Sequence, residues 1–172
     1  EVVQVDGGAD YRLRALEKGG VFHFPADATA DTAMAATFEA IAGGQGECAP
    51  ELQIEGRTIR AVRTGPGVAW LRFEELCGGP RGPADYIELA RRYHTVLISG
   101  VQRVGPGEAD RRRRFTWLID EFYDRRVKLI LSAEAQLTGL LRPAVGEVEV
   151  ERTASRLVEM QTHQYLSEAH LA

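Results

Sequence analysis

Two runs of β-branched and aliphatic residues, separated by one amphipathic segment, constrain the fold of this chain most. Thr95–Val101 and residues 127–131 are almost continuously apolar, which is typical of strands covered on both faces. Between them, residues 110–126 carry apolar side chains at i, i+3, i+4 and i+7, the spacing of an α-helix. These side chains are Phe115, Leu118, Ile119 and Phe122. The sequence therefore predicts a βαβ unit over residues 94–134, with parallel strands.

A second segment has the two-residue period of antiparallel strands. Leu52 and Ile54 alternate with polar residues, residues 55–57 have turn composition, and glycines flank a second turn at Pro66. This pattern predicts an antiparallel meander over residues 51–73. With the βαβ unit, it predicts an α/β fold built on a mixed β-sheet.

The two ends of the chain complete this organisation. The apolar residues 2–5 predict a strand, and a helix over residues 29–41 would be capped by Thr29 or Asp31. We expect an α/β domain over residues 1–142 and a carboxy-terminal helical segment over residues 143–172.

Composition excludes several classes of function. Lys and Arg total 21 against 25 Asp and Glu, so the formal net charge of -4 provides no overall attraction to nucleic acid or to an anionic membrane. Cys48 and Cys77 have no C-x-x-C spacing, and the four histidines do not match a metal site, so we predict neither a disulfide framework nor a metal centre. No apolar run approaches the roughly 20 residues of a membrane-spanning helix.

Four consecutive arginines open the helix of the βαβ unit. They are Arg111, Arg112, Arg113 and Arg114. Because the helix dipole disfavours cations at an amino terminus, this placement hints at an acidic partner surface or a phosphate. The alternative is solubilising charge with ordinary salt bridges.

The segment from Leu118 to Glu121 looks like a Walker B box, in which acidic residues hold magnesium and polarise water. Walker B carboxylates end a buried strand, whereas Asp120 and Glu121 belong to a segment with helical periodicity. We therefore interpret them as part of a helix surface. The chain also contains no G-x-x-x-x-G-K-[ST] loop to cradle a triphosphate. Because Glu1 begins within an apolar run and is not methionine, we expect the chain to be a fragment of a longer protein.

Several short strings occur in one order along nearly the whole chain. They are Asp10-Tyr11-Arg12, Phe73-Glu74-Glu75-Leu76-Cys77, Ala84-Asp85-Tyr86, the βαβ segments and Ser155-Arg156-Leu157-Val158-Glu159-Met160-Gln161. Taken jointly, they resemble the carboxy-terminal half of the ZapE-type (AFG-like) P-loop ATPases of the AAA+ class. Gln102 stands where that family usually has proline, and Thr162 where it usually has serine. The segment between Leu141 and Val148 is also shorter than the resemblance leads us to expect, so we expect a loop to be shortened near residue 143.

The resemblance implies a role within a larger enzyme. In the full-length parent, ATP and Mg would be bound by an amino-terminal P-loop half with the Walker A and Walker B motifs, and this fragment would be inactive alone and hold no cofactor. It would contribute a lid-like carboxy-terminal helix and a partner-binding surface to ATP-driven remodelling. The implied partner is the tubulin-like division-ring protein in bacterial cytoplasm, or membrane-associated respiratory subunits in mitochondria, with a homo-oligomer as a further possibility.

The same resemblance implies functional residues. Arg152 or Arg156, near the start of a final helix capped by Thr153 or Ser155, resembles the sensor-two arginine with which an AAA+ lid contacts the γ-phosphate, because its guanidinium fork suits phosphate. A structural salt bridge is the alternative for each arginine. For the whole chain, the alternative is a stand-alone protein-binding scaffold without nucleotide chemistry. A Rossmann-like enzyme is less favoured, since the glycine fingerprint is missing.

Overall fold

The structure is a computed structural model that describes residues 7–141 and 147–172. The predicted strand at residues 2–5 and the predicted loop near residue 143 lie outside the described residues. The helices of the described part are α1 (Gly7–Gly19), α2 (Ala28–Ala42), α3 (Phe73–Cys77), α4 (Pro83–Arg92), α5 (Ala109–Asp124), α6 (Leu137–Leu140), α7 (Val148–Glu159) and α8 (His163–Ser167), with a 3-10 turn at Pro106–Glu108. The strands are β1 (Phe22–His23), β2 (Glu47–Cys48), β3 (Glu51–Ile54), β4 (Arg57–Gly65), β5 (Val68–Arg72), β6 (Thr95–Val101) and β7 (Lys128–Ala133).

The described strands form one mixed sheet in the order β1-β7-β6-β5-β4-β2, with β3 also paired to β4. The pairs β1 with β7, β7 with β6 and β6 with β5 are parallel. The pairs that β4 makes with β2, β3 and β5 are antiparallel. The predicted α/β class with a mixed sheet and a carboxy-terminal helix is thus confirmed.

The βαβ unit consists of β6, α5 and β7. Its strands run parallel, with Leu97 opposite Ile130 and Ile98 opposite Leu131. The apolar face predicted for α5 is fully buried at Phe115, Leu118, Ile119 and Phe122. Because both strands and this helix face are buried together, the unit forms the centre of the core.

The predicted meander is present as β3, β4 and β5. Glu55 and Gly56 join β3 to β4 with positive φ angles of 50° and 74°, a turn that favours glycine at its second position. The last strand ends at Arg72, and Phe73 begins α3 with its side chain buried. The meander therefore adds an antiparallel edge to the parallel half of the sheet.

Both ends of the described chain are helical and pack onto this sheet. The amino-terminal cap of α2 is Asp27, whose carboxylate accepts a 2.9 Å bond from the Ala30 amide, so the expectation of Thr29 or Asp31 was wrong. At the other end, Leu157 of α7 and Tyr165 of α8 are buried in the same apolar core as β6 and β7. A domain division at residues 142 and 143 stays a prediction, because residues 142–146 lie outside the described part.

Candidate functional site

The candidate site is a groove between α5 and α7. Helix α5 turns its apolar face to the sheet, and α7 buries Val150, Thr153 and Leu157. The polar faces that remain border a groove of about 410 Å³. It is lined by Ala109, Arg112, Arg113, Thr116, Trp117, Asp120, Glu147, Glu149, Val150 and Arg152. We call this the α5–α7 groove.

Helix α7 begins earlier than its sequence suggested. It starts at Val148, so neither Thr153 nor Ser155 caps it, and the predicted cap was wrong. The physical reason is that Val150, Thr153 and Leu157 form one buried stripe at helical spacing, and burial of this stripe favours a helix through residue 153. Arg152 consequently lies in the second turn, and Arg156 lies in the last turn, where the helix dipole favours a cation.

Arg156 is held by α5. Its Nη1 donates to Oδ1 of Asp120 at 3.1 Å, and both side chains are about three-quarters buried, with 25% and 22% exposed. The buried Thr153 hydroxyl donates to the same Asp120 oxygen at 3.0 Å. The Arg156 guanidinium also lies 4.8 Å from the ring centre of Tyr123. These contacts clamp α7 onto α5 and fix the Arg156 guanidinium against Asp120 and Tyr123.

Arg152 has a different environment. It is exposed on the rim of the α5–α7 groove. Within residues 7–141 and 147–172, no hydrogen bond or ion pair to Arg152 is present. Its guanidinium is therefore available to an anion in the groove, since none of the described carboxylates, including Glu149 of the same groove, forms an ion pair with it.

The four consecutive arginines point in two directions. Arg112 and Arg113 line the α5–α7 groove. Arg111 instead pairs with Glu74 at 3.1 Å and with Glu108 at 3.0 Å. Arg114 donates to the carbonyl oxygen of Cys77 at 3.2 Å, which ties the end of α3 to α5.

The two groove-lining arginines of this run also differ. Arg112 makes a two-pronged contact with Glu147, at 3.1 and 2.5 Å, and the pair is mostly buried. Such a fork fixes Arg112 in the lining of the groove, because both prongs hold a planar guanidinium against a planar carboxylate. Arg113 pairs only with the exposed Asp110, at 3.2 Å, and its side chain is 57% exposed. Solvent screens that pair, so Arg113 retains its freedom to bind elsewhere.

The segment that looks like a Walker B box lies on α5. Glu121 pairs with Arg125 one turn later, at 3.2 Å, and burial raises the pKa of its carboxyl. The Asp120 carboxylate accepts hydrogen bonds from Arg156 and Thr153. The interpretation as part of a helix surface is confirmed, since a helix cannot present these carboxylates at the end of a buried strand. In the part of the chain that the structure describes, no group of three or more His, Cys, Asp or Glu side chains could hold a metal ion.

Sequence reasoning missed Trp117 and Glu147 as parts of the site, and it gave Thr153 only a capping role. Glu147 lies 35 residues from Arg112, and Thr153 lies 33 from Asp120. No local pattern signals pairs at such separations, since they depend on how α7 packs on α5. Trp117 offered a weak signal, as a large aromatic residue between two buried positions of an amphipathic helix.

Comparison with known proteins assigns this chain to a family. The model of the AFG1-like ATPase family matches residues 1–169. The chain belongs to the AFG1-like ATPase family. This confirms the resemblance drawn from the sequence strings.

Similarity to individual proteins supports the same family assignment. It is 37% identical over 172 residues to the cell division protein ZapE of Escherichia coli K12, covering 100% of this chain and 46% of that protein. It is 33% identical over 199 residues to lactation elevated protein 1 homolog B of Danio rerio, covering 95% of this chain and 40% of that protein. The chain thus spans less than half the length of these relatives and corresponds to the carboxy-terminal half of ZapE. No solved structure matches it significantly, and no helix among the described residues is long and apolar enough to span a membrane.

Proposed function

We propose that this chain is the carboxy-terminal portion of a ZapE-type ATPase, and that it supplies lid and partner-binding surface to ATP-driven remodelling. Family membership supports nucleotide use by the parent, and similarity to the cell division protein ZapE supports a role in cell division. The partner would then be the tubulin-like division-ring protein in the bacterial cytoplasm. ATP and Mg would be bound mainly by the half that this chain does not include.

The observation that carries the proposal is the exposed Arg152 on the rim of a groove that also contains Arg113. A sensor arginine must reach a phosphate on another domain or subunit, so it needs an exposed guanidinium with no fixed partner. Arg152 meets this requirement. Arg156 would first have to leave Asp120 and Tyr123, so we rank it second as a nucleotide contact.

For partner binding, we rank the four arginines by their existing contacts. Arg113 is the most exposed and is held only by a screened pair with Asp110. Arg111, Arg112 and Arg114 each contact an acidic side chain or a carbonyl of the fold. We therefore propose Arg113 as the main charge contact with an acidic partner, with the other three orienting the surface around it.

ATP turnover by variants of the full-length parent tests the nucleotide role. Replacing Arg152 with alanine should reduce kcat by about 10²-fold or more while the melting temperature stays within about 2 °C, as expected for loss of a contact made mainly in the transition state. Arg91 of α4 is a matched control, because it is also exposed and has no ion pair within the described residues. Unchanged turnover in Arg152→Ala, Arg156→Ala and the double variant would refute the sensor role.

Partner capture tests the second role. In the parent, Arg113→Glu should weaken co-sedimentation with division-ring polymers, and the loss should shrink as salt rises, because exposed charge contacts are screened. Arg103→Glu changes an exposed arginine outside the groove by the same charge and serves as the control. The scaffold alternative is decided separately by the gene: a reading frame with no Walker A motif upstream of Glu1 would exclude the ATPase proposal.

A further inference from the structure

A second cavity lies where the parallel strands β6 and β7 begin. It has a volume of about 310 Å³ and is bounded by α1 and by the chain that follows α8. Its basic side chains are Arg12, His94, Lys128 and His170. We call it the basic pocket. It shares no lining residue with the α5–α7 groove and has no role in the function proposed above.

Lys128 is the most unusual of these side chains. It is the first residue of β7 and is only 7% exposed. Its Nζ donates to the carbonyl oxygen of Arg126 at 2.8 Å and lies 4.7 Å from the ring centre of Tyr165. No carboxylate within the described residues pairs with it, and burial lowers its pKa to about 8. Lys128 is thus a largely desolvated cation with no carboxylate at ion-pair distance, and the more distant Glu168 charge only partly offsets the effect of burial on its pKa.

Arg12 adds a second cation from α1. It is half-buried, and it makes no hydrogen bond or ion pair with the rest of the described chain. Arg12, His94 and Lys128 line the same pocket, and the charge of Arg12 lowers the pKa of the other two side chains. Glu168 is the acidic residue that lines the pocket. It pairs with Arg126 at 3.2 Å, and its charge also raises the pKa of Lys128. The basic pocket therefore concentrates positive charge in a chain whose net charge is -4.

The two histidines form polar walls, and His94 adds no charge at neutral pH. Burial lowers the pKa of His94 to about 4, and its Nδ1 lies 2.8 Å from the Thr95 hydroxyl. Nε2 of His170 donates to the carbonyl oxygen of Ala90 at 2.6 Å, and the two rings are 6.5 Å apart between centres. The remaining walls are largely apolar, with leucines at positions 13, 16 and 166.

We propose that the basic pocket binds the phosphate group of a small phosphorylated molecule. A desolvated lysine and an unpaired arginine together provide two positive charges, which match a phosphate that carries about two negative charges at pH 7. A monocarboxylate would neutralise only one of them. The guanidinium offers two parallel donors to adjacent oxygens, and the ammonium supplies a compact point charge to a third. The leucines leave an apolar surface for the organic part of the ligand.

Binding of simple anions to the 172-residue chain tests the proposal. Thermal unfolding and titration calorimetry should be compared in sodium phosphate, sulfate, acetate and chloride at equal ionic strength. Phosphate and sulfate should raise the melting temperature relative to chloride, whereas acetate should not. Phenyl phosphate should bind at least about 10-fold more tightly than inorganic phosphate if the apolar walls contact the ligand, since tenfold in Kd corresponds to about 1.4 kcal/mol. Equal binding of the two would show that the pocket recognises the free oxyanion alone, and would overturn the small-molecule part of the proposal.

Matched variants assign the effect to the pocket. Lys128→Met and Arg12→Gln should each weaken sulfate binding about 10-fold or more, the loss expected for one charge-assisted contact. Arg14→Gln, on the exposed face of the same helix α1, should leave it unchanged. If Lys128→Met does not fold, the half-buried Arg12 still decides the result. Equal anion effects in all variants, or no stabilisation beyond that of chloride, would overturn the proposal.

A pH series adds a readout that nonspecific binding would not share. Sulfate remains a dianion above neutrality, so its affinity should fall from pH 7 to pH 9 as Lys128 loses its proton. In Lys128→Met the affinity should be nearly constant over that range. A slope that persists in the variant would exclude Lys128 as the titrating contact.

Discussion

The ion pair between Arg156 and Asp120 gives the sharpest test of whether an arginine of α7 serves structure or chemistry. The perturbation is Arg156→Ala in the 172-residue chain. It removes a 3.1 Å contact to Asp120 and the stacking on Tyr123, and it leaves the Asp120 carboxylate about three-quarters buried with Thr153 as its remaining donor.

The magnitude follows from this burial. Two unit charges 4 Å apart attract by about 1 kcal/mol in water and by about 4 kcal/mol at the effective dielectric of a protein surface. Exposed pairs contribute about 0.2 to 1 kcal/mol, whereas breaking a fully buried pair costs about 3 to 5 kcal/mol. Since the Arg156 pair lies between these limits, we expect a loss of about 2 kcal/mol, and hence a melting temperature about 4 to 8 °C lower.

Urea unfolding of Arg156→Ala and three companion variants measures this loss. Arg152→Ala, four residues earlier on the same helix and without a partner in the described chain, should change stability by less than about 0.5 kcal/mol. Asp120→Asn and the double variant complete a thermodynamic cycle, in which the coupling energy should be about 1 to 2 kcal/mol. If Arg156→Ala costs no more than Arg152→Ala, or if the cycle shows no coupling, then the pair does not clamp α7 and the reasoning is wrong.

Three further predictions concern the chain as a whole. The purified chain should show no magnesium-dependent ATP hydrolysis above buffer, because it lacks a Walker A loop; phosphate release that scales with its concentration and survives further purification would contradict this. A thiol reagent at pH 8 should modify the exposed Cys48 rapidly and Cys77 only on unfolding, since burial raises the pKa of the Cys77 thiol to about 12; equal labelling rates by mass spectrometry would show that this burial is wrong. Burial, and to a smaller extent nearby positive charge, lowers the folded-state pKa of His94 to about 4. The unfolded state therefore binds more protons than the folded state between pH 4 and about 6.5. Stability should fall as the pH is lowered through that window, by at most about 1.4 kcal/mol per pH unit. In urea unfolding at several pH values, His94→Gln should have a smaller slope, and an unchanged slope would exclude His94 as its source.

The fold was largely predictable because its signals are local. The βαβ unit follows from two continuous apolar runs around one helical stripe, and the meander follows from alternation between glycine-containing turns. Both patterns record which side of an element faces the core, and burial is the dominant contribution to folding. The start of α7 was misplaced, since Thr153 is a good capping residue in isolation but is buried in the helix interior against α5.

The sequence by itself determined the family, the fold class and the residue types from which the sites are built. The tertiary structure decided which of the charged side chains are paired, buried or exposed. Arg152 and Arg156 are one helical turn apart and alike in sequence, yet Asp120 engages one and leaves the other exposed. Lys128 and Arg12 become neighbours only because β7 begins beside α1. Charge interactions depend on distance and on exposure to water, and neither quantity is encoded in the local sequence around an ionisable residue.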